Sequence, residues 1–237
     1  MTSWHDYPGA LLGTTEKPLL DWFSRNVGDS QTWLDVGAHY GYTAIALSRL
    51  VGGTGRVFAF EPVLSTAGCI SRTRELNRLK HLTVVPFALD QTDAPQTAEL
   101  PLVRGMADST IARNAWTERI MTTSLDALWP SLCGGDRRVD GIKIDVQGME
   151  FSALLGMRDI LARQRPKLVI EFHSGVDRRP ILDLLRSCGY AQHYQPIEPS
   201  SSNAPGDGSL LDDHSYAFLP LSSECEFSST ASSTART

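Results

Sequence analysis

The stretch WLDVGAHYGYTAIALS, residues 33–48, sets Asp35, Gly37 and Gly41 between an apolar run and a helical pattern. A strand ending at Asp35-Val36, a turn through Gly37 and a helix starting near Gly41 bring backbone N–H groups to the carboxyl edge of a sheet. Ligands bind at that edge in open α/β folds. Gly37 lets the chain bend and lets a ligand approach the backbone, and Gly41 is expected to let the helix start press against the strand. Glu61, twenty residues after Gly41 and directly behind the next strand, stands where an acid accepts hydrogen bonds from the two hydroxyls of a ribose. Glycines serve a tight turn as readily as a ligand, and a strand-end acid can simply be solvated. The joint spacing favours a nucleoside site.

The turn reads G-A-H-Y-G rather than GxGxxG, and His39 fills the place where a pyrophosphate needs room. Asp35 adds a negative charge that repels a pyrophosphate and attracts the ammonium and sulfonium of S-adenosylmethionine. A cationic nucleoside cofactor of that kind is expected, and NAD is disfavoured.

The elements that must position these groups take turns along the chain. Apolar spacing predicts helices over 18–26, 42–51, 66–80, 124–129, 150–161 and 180–188. Strands are expected over 32–36, 56–60, 82–85, 139–146, 167–172 and 214–219. Ser124 suits a helix cap. Strands alternating with helices argue for a mostly parallel sheet covered on both faces, an α/β fold. Residues 98–123 break into short alternating pieces around Asp108, Ser109, Asn114 and Trp116, and read as an inserted hairpin. Asp108, Ser109 and Trp116 either line an acceptor pocket or are ordinary turn residues.

Residues 196–213 are polar and rich in Ser, Pro and Gly, as in a mobile loop or site cover. Residues 222–237 form a Ser/Thr-rich tail expected to be disordered. One domain over 1–221 is therefore expected.

Composition narrows the function classes. With 237 residues, 41% of them hydrophobic, the chain can bury one substantial core. The net charge of −5, with both signs mixed along the length, provides no basic stripe for a nucleic acid. No window approaches the roughly eighteen apolar residues of a membrane span, and the first residues do not resemble a secretory signal. A soluble, cytoplasmic protein is expected, and a homodimer is admitted. Four dispersed cysteines, Cys69, Cys133, Cys188 and Cys225, lack metal-ligand spacing and read as buried or free thiols.

Asp-Val-Gly-Ala-x-x-Gly-Tyr at 35–42, Phe-Glu-Pro at 60–62 and Ile-Lys-Ile-Asp-Val-x-Gly-x-Glu at 142–150 together resemble the FkbM group of S-adenosylmethionine-dependent methyltransferases. Asn77, Ala88-Leu89, Thr123-Ser124-Leu125-Asp126 and Glu171-Phe172-His173 extend the likeness, which runs from Trp33 to Phe172. The resemblance implies a class I methyltransferase fold, a Rossmann-like three-layer sandwich with strand order 3-2-1-4-5-7-6 and the last strand antiparallel. It also implies a cofactor site at Asp35, Gly37, Ala38, His39, Tyr40, Gly41, Tyr42, Glu61, Pro62, Ala88 and Asp145. The acceptor it implies is a hydroxyl on a sugar or natural product. Two positions depart from the family: His39 stands where Asn is common, and Gln147 where Glu is common.

A sulfonium already activates its methyl group, so the protein's tasks are alignment and removal of the acceptor's proton. Asp145, at the carboxyl end of a strand, is the first candidate base, although it could instead cap the next helix. His173, at another strand end, is the second, although a strand-end histidine is often structural. Glu150 reads as a first-turn acid that orders its loop. Asp90 either reaches the adenine edge or belongs to a polar turn. No second acid is evident beside Asp145 to complete an oxygen-ligand site, so no metal is expected. An N-methyltransferase and a non-catalytic cofactor-binding partner or sensor are the alternatives.

Overall fold

The computed structural model describes residues 16–103, 106–107, 116–134, 137–191, 193–198 and 210–221. Asp108 and Ser109, most of the 196–213 loop and the 222–237 tail lie outside these residues.

Helix α1 (Lys17–Asn26) carries Leu19, Trp22 and Phe23 on one buried stripe and has Pro18 in its first turn, where a missing N–H costs nothing. It leads to β1 (Thr32–Val36), in which all five residues are buried. Helix α2 (Tyr42–Leu50), β2 (Arg56–Phe60), α3 (Leu64–Leu76) and β3 (Leu82–Val85) continue the alternation. Helix α3 was expected to reach Lys80 but stops earlier. Arg78 turns at a positive φ of 56°, which returns Leu79 to the core at 8% exposure.

Strands β4 (Ala88–Leu89), β5 (Gln96–Val103), β6 (Met106–Ala107) and β7 (Trp116–Thr123) form a small second sheet in the order β4-β7-β5-β6. Strands β5 and β7 are the antiparallel arms of a hairpin, and β7 runs parallel to β4. Helix α4 (Leu125–Cys133) begins at Ser124, whose hydroxyl accepts the Ala127 N–H at 3.1 Å. The chain then returns to the main sheet as β8 (Gly141–Ile144).

The helix expected over 150–161 is two helices, α5 (Glu150–Leu155) and α6 (Arg158–Gln164). The break has two causes. A Cβ on Gly156 would lie 1.9 Å from the Asp90 carbonyl oxygen, and the Asp126 carboxylate accepts the N–H groups of Asp159 and Ile160 at 2.8 and 3.0 Å. Side-chain capture of these donors starts a new helix.

Strand β9 (Lys167–Phe172), helix α7 (Arg178–Ser187) capped by Asp177, β10 (Gln195–Pro196) and β11 (His214–Phe218) complete the chain. The main sheet has seven strands in the order β10-β11-β9-β8-β1-β2-β3, with β11 antiparallel to β9 and the central strands parallel. The sequence reading missed β10 and placed Pro196 in the loop. Ile197 donates to Ser215 O and Ser215 donates to Glu198 Oε2, so 195–198 are tied to β11.

Parallel register sorts the side chains. Leu34, Val36, Phe58, Ile142, Ile144, Leu168 and Ile170 join the core beneath α4 to α7. Trp33, Val57, Ala59 and Val169 join the core with Trp22 and Phe23 of α1 and Leu47 of α2. Trp33 opposes Gly141 and Asp35 opposes Lys143 across β1 and β8. A Cβ on Gly141 would sit 2.4 Å from the Trp33 ring, so glycine makes room for the indole. Successive alternate residues on this face become polar toward the carboxyl end of the sheet.

Candidate active site

The turn after β1 is fixed from two sides. Gly37 and Ala38 both donate to the Phe60 carbonyl at 3.0 Å, tying the turn to the end of β2. Gly37 has φ 77°, and a Cβ there would fall 1.8 Å from the Asp145 carbonyl oxygen. Glycine thus permits two strand ends to meet. Gly41 acts differently from expectation: an added Cβ would press on Ile70 of α3 at 3.0 Å, so this glycine admits a helix side chain rather than the strand.

Glu61 locks the same turn. Its Oε2 accepts the His39 N–H at 2.8 Å and its Oε1 accepts the Val63 N–H at 3.0 Å. His39 adopts a positive φ of 49°, a conformation that costs most side chains and that His, like Asn and Asp, enters more readily. Burial leaves Glu61 only 6% exposed and pushes its pKa up to about 7 against the two backbone donors. Each carboxylate oxygen keeps a lone pair for a further donor.

Asp35 is fully enclosed. It accepts a hydrogen bond from the Thr43 hydroxyl and lies 3.4 Å from the Lys143 ammonium. Desolvation raises its pKa against the lowering influence of Lys143 and Thr43. Its charge is therefore partnered within the protein rather than offered freely to a cofactor.

Lys143, overlooked by sequence reading, stands at the centre of the cluster. It is 5% exposed, and its Nζ reaches Asp145 Oδ2 at 3.2 Å and the Gly37 carbonyl at 3.4 Å. Desolvation disfavours the ammonium, but Asp145 and Asp35 outweigh it and hold its pKa high. A lysine inside the apolar run GIKI was the available signal, since a charge in a buried parallel strand requires a partner.

Asp145 continues that face from β8, and Glu171 and His173 continue it from β9. His173 Nε2 lies 3.5 Å from Asp145 Oδ1 and 3.7 Å from Glu171 Oε1, and Gln147 Nε2 is 2.8 Å from the same ring nitrogen. Asp145 Oδ1 is buried and makes no hydrogen bond among the described residues. The second acid thought to be missing is Glu171: one ligand atom each from Asp145, Glu171 and His173 lies within 4.8 Å of the others. The premise of the no-metal expectation is thus corrected.

Glu150 is the first-turn acid of α5 and orders its loop, its Oε1 accepting the Gly148 N–H at 3.0 Å; it is also wholly buried and meets His173 Nδ1 at 2.7 Å. Burial lowers the His173 pKa, but the hydrogen bond to Glu150 and the charges of Asp145, Glu150 and Glu171 outweigh it and raise it. Desolvation and Asp145 push Glu171 up to about 7.

The Tyr40 ring packs on His39 at 4.1 Å between centroids, Tyr42 opens α2, and Pro62 follows Glu61. Ala88 belongs to the second sheet, paired with Thr122. Asp90 is engaged by the Gln91 N–H and the Ser152 hydroxyl, as in a structural turn. Asp35, Asp145, Glu150 and Glu171 oppose one ammonium, Lys143, and one imidazole, His173. That surplus of acid suits a cation.

Comparison with curated protein sequences finds no match. The FkbM protein from Methylobacillus flagellatus is structurally similar, with TM-score 0.54 and 20% identity over 81% of this chain and 44% of that one. The chain thus spans under half of that protein's length. An S-adenosylmethionine-dependent O-methyltransferase from Thermotoga maritima gives 0.51 and 12% identity, covering 86% of this chain and 64% of that one. Aeropyrum pernix fibrillarin, solved with natively bound S-adenosylmethionine, gives 0.51 and 14%, covering 82% and 68%. These likenesses establish a class I methyltransferase fold. The family model for the methyltransferase FkbM domain matches residues 35–191, well over half of the chain and every motif of the site, and this protein belongs to the FkbM family of S-adenosylmethionine-dependent methyltransferases.

Proposed function

We propose that this protein transfers the methyl group of S-adenosylmethionine to a hydroxyl of a small molecule, a sugar or natural product. The observation that carries this reading is His173, a nearly buried imidazole whose Nε2 faces Asp145 and Glu171 at the carboxyl ends of β8 and β9. A hydroxyl acceptor needs a proton acceptor, and an imidazole is suited to that role near neutral pH.

The residues present fit the cofactor. Gly37 keeps the turn bare of side chain, Glu61 retains lone pairs for ribose hydroxyls, and the acid surplus with the orphaned Asp145 Oδ1 suits a sulfonium and an ammonium. Gly37, Ala38, His39, Tyr40, Gly41, Tyr42, Glu61, Pro62, Ala88 and Asp145 would hold it, and Asp35, enclosed with Thr43 and Lys143, would support the turn from behind. S-adenosylmethionine supplies a methyl group made electrophilic by its sulfonium. His173 Nε2 takes the proton from the acceptor hydroxyl as the oxygen forms its new bond, and Asp145 and Glu171 stabilise the imidazolium. General-base assistance of this kind contributes on the order of 10²- to 10⁴-fold.

The reaction is proposed to be metal-free. Lys143 already supplies a counter-charge 3.2 Å from Asp145, and position 147 offers an amide rather than a carboxylate. The net charge of −5 supports a small-molecule acceptor over a nucleic acid. Among the described residues no helix is long and apolar enough to cross a membrane.

A nitrogen acceptor is the second reading, because the same acid surplus attracts an amine. The deciding experiment assays methyl transfer to hydroxyl and amine acceptors with wild type, Asp145→Asn and His173→Ala. Loss of hydroxyl methylation in His173→Ala with S-adenosylhomocysteine binding retained supports the proposal. Amine methylation that survives both substitutions overturns it, and binding without turnover across acceptors favours a non-catalytic partner.

A further inference from the structure

We infer that Glu150 is a positioning residue that fixes the tautomer and orientation of His173, so that the proton rests on Nδ1 and Nε2 is the basic nitrogen. This rests on the hydroxyl-methylating reading above. Glu150 is fully buried, yet among the described residues its carboxylate has two hydrogen-bond partners, the Gly148 N–H and His173 Nδ1, both at Oε1. Its Oε2 is buried and makes no hydrogen bond among the described residues. Such a group is costly to hold in the interior unless its contact with the ring is the purpose of its burial.

The geometry sets the tautomer. The Gly148 N–H at 3.0 Å requires Oε1 to accept, and an ionised carboxylate accepts from the ring nitrogen at 2.7 Å as well. The Nδ1 atom therefore carries hydrogen. With hydrogen on Nδ1, Nε2 accepts from the Gln147 amide at 2.8 Å, and Asp145 Oδ1 and Glu171 Oε1 lie beside it at 3.5 and 3.7 Å. Gln147 keeps this nitrogen hydrogen-bonded without contributing a fourth nearby negative charge.

During transfer the acceptor O–H bond breaks, its proton goes to Nε2 and its electron pair stays on oxygen. The new C–O bond forms as the S–C bond breaks, and the thioether leaves with that bond's electrons. The ring becomes an imidazolium with one N–H on Glu150 and the other facing Asp145 and Glu171, while Lys143 offsets part of the local negative charge. An ionised partner at Nδ1 stabilises that product and prevents the ring from turning over.

The test uses the full-length protein bound to S-adenosylhomocysteine, labelled with ¹⁵N-histidine and assigned by comparison with His173→Gln. Long-range ¹H–¹⁵N spectra report the tautomer and pKa of His173 directly. The Nδ1–H tautomer is expected in wild type. In Glu150→Gln the ring pKa should fall by about one unit or more, since a carboxylate charge is lost. The rising limb of kcat/KM against pH should move down with it, kcat should drop by about 10²-fold, and the KM for cofactor should stay unchanged. Glu150→Asp should recover part of the rate.

An Nε2–H tautomer in wild type, or an unmoved ring pKa in Glu150→Gln, would make Glu150 merely structural and overturn the inference. Selective broadening of the His173 signals by added Mn²⁺ would make Nε2 a metal ligand and overturn it too. Should Glu150→Gln fail to fold, the wild-type tautomer and the ring pKa in Glu150→Asp decide. If no hydroxyl is methylated while the spectra behave as expected, the proposed reaction fails and the positioning role stands.

Discussion

The backbone carbonyl of Asp145 occupies the space that a side chain on Gly37 would need, with 1.8 Å between that oxygen and the position of a Cβ. The ends of β1 and β8 are thereby brought together, and Asp145 N donates to Val36 O at 3.0 Å as the last rung. The cofactor turn and the β8 carboxylate are one construction.

Gly37→Val should disrupt both. The positive φ of 77° penalises a β-branched residue, and the clash is with backbone rather than with a flexible side chain. Loss of S-adenosylhomocysteine binding in calorimetry, with a lowered Tm, is expected. A variant of unchanged Tm and affinity would show that the turn tolerates a side chain.

Glu61→Ala should weaken S-adenosylhomocysteine binding by more than about tenfold, equivalent to about 1.4 kcal/mol. The carboxylate pKa near 7 adds a second signature. Ribose hydroxyls donate to the ionised form and favour it, so binding near pH 6.5, about half a unit below that value, should release protons. Calorimetry in buffers of different ionisation enthalpy measures the release, and its absence in wild type would remove Glu61 from the ribose site.

Stability of the cofactor-free protein should fall as pH rises from about 5 to about 7.5. Glu61 and Glu171 stand near 7 against an ordinary value of 4.5, so between these values the folded chain binds protons that the unfolded chain has released. Their stabilising share is full below the unfolded value and lost as pH passes the folded one. His173, also raised, has the same sign. At about 1.4 kcal/mol per pKa unit, nearly buried Glu61 alone accounts for about 3 kcal/mol. Thermal scans at fixed ionic strength check this, and a Tm that climbs through the window would contradict it.

Lys143→Met should cost about 3–5 kcal/mol, because it leaves Asp35 and Asp145 without their shared cation in the interior. Adding Asp35→Asn should restore part of the loss, since the fully buried carboxylate is then neutral. Denaturant unfolding of the single and double variants measures the coupling. Additive losses would mean that the pair does not interact energetically.

Local chemistry was legible where the cause is local. Apolar periodicity located β1, β2, β3 and β9 closely, because strands of a parallel sheet covered on both faces read as near-continuous apolar runs. Gly37 and Glu61 stood out by type and spacing, and each has a specific backbone partner in the fold. The break between α5 and α6 was not legible, since it depends on Asp126 and Asp90, which are distant in sequence. Strand β10 was hidden for a related reason: two exposed residues, one of them proline, become a strand only because β11 lies beside them.

By itself the sequence determined the alternating fold, the glycine turn and the acid behind β2, because each is written in neighbouring residues. Tertiary structure alone decided that Lys143 would neutralise Asp35 and Asp145, that Glu171 would face His173, and that Glu150 would hold its ring. These partners come from different strands and helices, and strand register sets which side chains meet. Burial then makes the meeting consequential, since an acid or lysine denied water must find its partner across the sheet.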